Sequence, residues 1–153
     1  MADRDLPLYP DAAELTLAHI SQSGRRHFLR PDAAEGWIRM REAAAEADVT
    51  LVMVSGFRSF DRQLELIKEK LDAGHRIEDI LAVMAPPGCS EHHSGRAVDI
   101  GTPGCAPLSE SFEDTRAFQW LSGNAESHGY RMSYPRGNRF GYLYEPWHWR
   151  HES

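Results

Sequence analysis

The sequence predicts an α+β domain in which helices pack around a small, mostly antiparallel sheet. Three observations carry this. Helical apolar spacings come first along the chain, short β-rich runs cluster toward its end, and no linker, low-complexity tract or domain-sized repeat divides its 153 residues. With 41% hydrophobic and 10% aromatic residues the chain can bury a real core, which excludes disorder.

The pentapeptide PDAAE occurs at 10–14 and again at 31–35. Each copy places an aspartate three residues before a glutamate, the spacing of a capping box with Asp in place of Ser or Thr, and so predicts two helix starts. The second helix continues through Trp37, Met40, Ala44 and Ala47 on one apolar face. VTLVMV, residues 49–54, is continuously apolar and β-rich, which predicts a buried strand ending at Ser55-Gly56. SFDRQLELIKEKLDAG aligns Phe60, Leu64, Ile67 and Leu71 on one helical side, with Gly74 as the stop. IEDILAVM predicts a shorter helix broken by Pro86-Pro87-Gly88, and RAVDI a brief strand. FEDTRAFQWLSGNAESHG predicts one helix with Phe112, Thr115, Phe118 or Gln119, and Leu121 or Ser122 facing inward. The closing GYLYEPWHWRH is aromatic and strand-like.

Net charge is −6 and no basic stripe appears, so nucleic acid is excluded as a partner on electrostatic grounds. The longest apolar run, LVMV, is too short to span a bilayer, and Met1-Ala2-Asp3-Arg4-Asp5 shows no signal peptide. The expected compartment is the cytoplasm, or the cell-wall side if a leader has been removed. Cys89 and Cys105 flank one loop and either pair across it or stay as buried thiols; a four-cysteine zinc site is excluded by count. A monomer is expected.

CSEHHSGRAVDIG, residues 89–101, sets two adjacent histidines before an acid inside an apolar run. A helix would align His92 with Asp99, but Gly95, Val98 and Ile100 argue for a loop, a turn and a strand presenting Asp99. Between Val98 and Ile100 that carboxylate is costly to bury unless something needs its charge. An imidazole and a carboxylate brought together suit a divalent zinc ion; taken alone, a His–Asp hydrogen bond is the simpler account. YEPWHWRH adds His148 and, three residues before it, Glu145. Regular pleating would put these on opposite faces, and Pro146 predicts a break that turns Glu145 back. Two imidazoles and one carboxylate would leave zinc an open position and lower the pKa of a water there toward roughly 7. Glu145 fits the post of proton acceptor. Arg58, where a strand gives way to a helix in SGFRSFDRQ, is suited to grip a carboxylate through paired hydrogen bonds, although a solvent-facing arginine is the plainer reading of that segment alone.

Together SGFRSFDRQ, PPGCSEHHSGRAVDI and YEPWHWRH resemble, in order and style, the zinc D-alanyl-D-alanine carboxypeptidases of the VanY type. WLSGNAESHGYRMSYP resembles that family too, and the likeness covers residues 26–151. The pattern Ser-x-His-x-x-Gly-x-Ala-x-Asp is matched in full by Ser90, His92, Gly95, Ala97 and Asp99. The resemblance implies one Zn2+ ion held by His92, Asp99 and His148 in a cleft on the sheet, with Glu145 as general base and acid. It implies that Arg58 holds the substrate or its transition state, that Gln63 and Ser90 help grip the terminal residue and its carboxylate, and that the substrate is a peptidoglycan stem peptide or its precursor. It divides the chain into a catalytic domain, 26–153, and an N-terminal extension, 1–25, expected as packed helix and loop.

Of the tryptophans flanking His148, Trp147 is the better candidate to line the cleft; strand parity does not choose between Tyr142 and Tyr144. His93 falls where the family often has another polar residue and is not expected to bind metal. His151 is expected to be exposed or behind a ligand, and His19, His27, His75 and His128 to be surface or capping residues. The implied function is a D,D-carboxypeptidase that releases terminal D-Ala from a pentapeptide. An L,D-carboxypeptidase trimming D-Ala from tetrapeptide stems is the alternative. A non-catalytic zinc-containing peptide-binding module is a third reading, which the presence of Glu145 disfavours. A lytic endopeptidase has no sequence support.

Overall fold

Residues 4–152 are described by a computed structural model; Met1–Asp3, read above for a leader, and Ser153 lie outside the described residues. In chain order the elements are β1 (Thr16–Ile20), β2 (Arg26–Leu29), α1 (Pro31–Glu46), β3 (Val52–Ser55), α2 (Phe60–Asp72), α3 (Ile77–Val83), β4 (Ala97–Gly101), α4 (Arg116–Asn124), β5 (Tyr130–Met132) and β6 (His148–His151). All pairing is antiparallel: β1 with β2 in one hairpin, and a four-stranded sheet in the order β3-β4-β6-β5. The α+β class with a small antiparallel sheet is as predicted.

The main core lies between α1 and the sheet. Trp37, Met40 and Ala44 of α1 pack with Leu51, Met53, Val98, Ile100 and Trp149 from the strands and with Phe112, Leu121 and Tyr130. Tyr130 satisfies its hydroxyl in this core by donating to Ala33 O at 2.7 Å. The chain enters β5 from a turn at Gly129, whose φ of +86° favours glycine, and a Cβ there would lie 2.7 Å from Nε2 of His151 on β6. Gly129→Ala should therefore cost at least about 2 kcal/mol, combining left-handed backbone strain with overpacking. A melting temperature lower by several degrees would show it.

Several expectations are corrected. The first PDAAE does not start a helix, and the described part of 1–25 holds loop and strand. Tertiary bonds claim that segment instead: Tyr9 N donates to Gly88 O, Ala12 N to His93 O, and Asp11 Oδ1 accepts from Phe60 N. The second PDAAE does lie at a helix start, but without a capping box. Pro31 takes the first helical position behind Arg30, and Asp32 sits inside the first turn accepting from Ala33 N.

The strand β3 is an edge strand with Val52 and Val54 half-buried, because only β4 covers it. On α2, Phe60 and Leu71 are exposed, and Gln63 shares the buried side with Ile67. The single helix expected after Phe112 is split. Thr115 caps α4 by accepting from Phe118 N, with short 3-10 turns at Glu110–Asp114 and Ala125–His128 on either side. Its inward residues are Phe112, Ala117 and Leu121, while Gln119 and Ser122 are exposed. In the C-terminal segment only His148–His151 is strand. His19 and His27 are buried, not surface residues, and His19 packs edge-on to Trp37. His151 is buried against Tyr130. Cys89 and Cys105 are free, half-buried thiols.

Candidate metal centre and active site

Strand register builds the site. Asp99 of β4 pairs with Ser55 of β3 on one side and His148 of β6 on the other. Neighbouring strand residues point to opposite faces, so Val98 and Ile100 enter the core while Asp99 projects to the other face beside its cross-strand partner His148. An acid can thus stand within an apolar run. His92 arrives from the loop before β4, on a 3-10 turn spanning Glu91–Ser94. Ser90 caps that turn, its Oγ accepting from His92 N. Gly95 ends it at φ +71°, where a Cβ would lie 3.0 Å from Arg30 Cγ.

Three donors converge: Asp99 Oδ1 lies 3.2 Å from His92 Nε2 and 3.0 Å from His148 Nδ1. Tetrahedral zinc with ligand bonds near 2.0–2.1 Å sets its ligand atoms roughly 3.3 Å apart. The far nitrogens decide what the near ones offer. His92 Nδ1–H donates to Gly56 O at 2.7 Å, and His148 Nε2–H donates to Glu91 Oε1 at 2.9 Å. In neutral imidazoles this leaves both lone pairs aimed at a carboxylate oxygen, an arrangement that repels itself unless a cation or proton lies between. The donor set therefore fits zinc.

Electrostatics in the metal-free protein follow from this crowding. Burial alone would raise the Asp99 carboxyl, but His92 and His148 outweigh it and hold the group far below the usual carboxylate range. Burial disfavours charge on His148 too, yet hydrogen bonds to Asp99 and Glu91, with their charges, push it up to about 10. His92 is lowered by burial, which the Asp99 charge only partly offsets.

Glu145 stands at the edge of this cluster, Oε1 3.9 Å from His148 Nδ1. The turn at Pro146, closed by His148 N donating to Glu145 O, brings it back toward the site as the proline predicted. Burial, reinforced by the Asp99 and Glu91 charges and opposed by His148 and Arg58, pushes its carboxyl up to about 7. The folded protein then holds this proton more tightly than the unfolded chain, whose value is near 4.5, so stability falls as pH climbs from about 4.5 to about 7. Metal-free Glu145→Gln should be more stable than wild type at pH 8 by about 3 kcal/mol, with the difference fading below about pH 4.5. Parallel melts in chelator would read this, and a less stable variant at pH 8 would contradict it.

Arg58 couples electrostatically to both Asp99 and Glu145. Its Nη1 donates to Gln63 Oε1 and its Nη2 to Ser55 Oγ, each at 3.0 Å. Gln63 is 1% exposed, and its Nε2 donates to Ala85 O. Trp147 and Glu145 line a cavity of ≈ 570 Å³ with Tyr142, Tyr144, Leu108 and Leu143. Trp149 belongs to the core. His93, fully buried, donates from Nδ1 to Arg58 O and accepts from Gly88 N at Nε2, which fixes the loop that bears Arg58.

Glu91 was missed from sequence. It is 3% exposed, accepts from Ser133 Oγ at 2.6 Å as well as from His148, and lies 3.6 Å from Arg150 Nη1. The only signal was its place between Ser90 and His92. Tyr134, also unread, stacks on the His148 ring with centroids 4.4 Å apart.

The profile of the family described as VanY, D-alanyl-D-alanine carboxypeptidase, matches residues 26–153. The putative carboxypeptidase YodJ of Bacillus subtilis (strain 168) is 34% identical over 130 residues, which cover 83% of this chain and 47% of that protein. The chain thus spans about half the length of that relative. Among solved structures, the LdcB LD-carboxypeptidase superposes with a TM-score of 0.81 at 30% identity, over 92% of this chain and 69% of the other. A mutant of the vancomycin-resistance D,D-pentapeptidase VanY in complex with Zn(II) gives 0.71 at 25% identity, over 95% and 86%.

Proposed function

The chain belongs to the VanY family of D-alanyl-D-alanine carboxypeptidases, and from that premise we propose that it is a zinc-dependent D,D-carboxypeptidase acting on peptidoglycan stem peptides or their precursors. The observation that carries this is the convergence of His92, Asp99 and His148, with Glu145 3.9 Å from His148. Zinc held by His92 Nε2, Asp99 Oδ1 and His148 Nδ1 would supply a Lewis acid for the scissile carbonyl and for water activation.

The side chains do the rest. Glu145, with its affinity for a proton poised near neutrality in the metal-free site, accepts one from the attacking water and returns it to the leaving amine nitrogen. Arg58 spends two of its roughly five donors on Gln63 and Ser55. Those bonds fix the guanidinium, whose remaining donors face the substrate's free carboxylate or the developing negative charge. Gln63 acts through Arg58, and Ser90 by shaping the turn that carries His92. The cavity bordered by Trp147 and Tyr144 takes the rest of the peptide, and its ≈ 570 Å³ is within the usual range for small-ligand sites.

A second reading, an L,D-carboxypeptidase, is supported by the likeness to LdcB. Incubating zinc-loaded protein separately with stem pentapeptide and tetrapeptide, then weighing the products, separates the readings. Loss of one alanine from the pentapeptide alone supports D,D-cleavage. Loss from the tetrapeptide alone replaces it with L,D-cleavage, and zinc binding with neither product leaves a peptide-binding module.

A further inference from the structure

We propose that Glu91 is a positioning residue for His148: its carboxylate selects the imidazole tautomer that turns Nδ1 toward Asp99 and so makes His148 a metal ligand. This deepens the zinc reading above and rests on it. His148 has two carboxylates at its two nitrogens, Glu91 Oε1 2.9 Å from Nε2 and Asp99 Oδ1 3.0 Å from Nδ1. Neither oxygen can donate, so a neutral His148 must give its proton to one of them. Glu91 is the better fixed acceptor for that proton. It is 3% exposed, and Ser133 Oγ donates to the same oxygen at 2.6 Å. Arg150 lies 3.6 Å from the other carboxylate oxygen. These contacts give the buried carboxylate partners besides His148 and fix its orientation. Tyr134, stacked on the ring, restrains it from turning over.

The network reaches beyond the stretch that matches the family. Arg150 Nη1 also donates to Tyr9 Oη at 3.1 Å, and its guanidinium lies over the Tyr9 ring. Tyr9 precedes residue 26, where the family match begins, and is itself tied to Gly88 in the loop before His92. The N-terminal segment thereby helps anchor Arg150, which flanks Glu91. Asp99, by contrast, faces both near imidazole nitrogens with one oxygen, at 3.2 and 3.0 Å, and is needed there as a metal donor.

Two measurements on the full chain test this. In zinc-loaded wild type, long-range proton–nitrogen NMR of the histidine rings should show His148 protonated at Nε2 and metal-bound at Nδ1. Coordination through Nε2 would overturn the proposal whatever any variant does. In the second, metal-stripped wild type and Glu91→Gln are titrated with zinc against a chromophoric chelator. The variant keeps the shape and removes the charge that attracts the proton, so its affinity should fall by about 10- to 100-fold. Equal zinc affinity in a folded variant, with the His148 tautomer unchanged and only the melting temperature lowered, would make Glu91 merely structural and sink the proposal. Failure of wild type to bind zinc would instead remove the metal centre itself, and with it the premise on which Glu91's role rests.

Discussion

Glu145→Ala protein should turn over stem pentapeptide at least about 10²-fold more slowly than wild type while still binding one zinc ion, because proton transfer by a positioned side chain typically contributes 10²–10⁴-fold. The proposed metal donors are His92, Asp99 and His148, and none of their mutual contacts passes through Glu145. Removing it therefore separates chemistry from metal binding. The companion melts sharpen the point: Glu145→Gln, which also removes the proton acceptor, should stabilise the metal-free fold at pH 8, since a buried carboxylate beside Asp99 and Glu91 is unfavourable there. A variant with full activity would take Glu145 out of the mechanism.

Asp99→Ala should be the more damaging change. It removes one metal donor and the only charged one, leaving two neutral imidazoles, so zinc affinity should fall by well over about 10²-fold, beyond the cost of losing an outer partner. Activity at micromolar zinc should vanish with it. Metal binding and stability are linked, so chelator should lower the melting temperature of wild type by several degrees and leave Asp99→Ala unmoved. The change also removes one of the two anions that hold the proton on His148 in the metal-free protein, while Glu91 keeps the other nitrogen engaged. Zinc titration by chelator competition reads the first effect, and paired melts read the second. Undiminished zinc binding by Asp99→Ala would place the ion elsewhere.

The reach of the sequence was set by the range of each interaction. β4 was legible because RAVDI is bounded by a glycine turn and carries β-branched residues, and α2 because its cap, Ser59, and its stop, Gly74, are both local. The convergence of His92, Asp99 and His148 was read from patterned segments, and antiparallel register then supplied the cross-strand pair that spacing could not. Misreadings came where distant partners overrule local preference. PDAAE looks alike at 10–14 and 31–35, yet in the first copy Ala12 N donates to His93 O, just after Tyr9 N bonds Gly88 O, and the second continues into α1. β5 is three residues long, too short for alternation to register. His19 and His27 have no sequence neighbour that announces burial; the β1–β2 hairpin folds them together near Trp37. Glu91 looked like any acid beside a motif, because its partners Ser133, His148 and Arg150 lie at least 42 residues away.

Zinc-edge anomalous diffraction from crystals of the zinc-loaded protein bears most directly on the site. The expected result is a single strong peak within about 2.0–2.2 Å of His92 Nε2, Asp99 Oδ1 and His148 Nδ1. A peak at another cluster, or none at these three atoms in fully loaded crystals, would contradict the metal centre on which the catalytic reading is built.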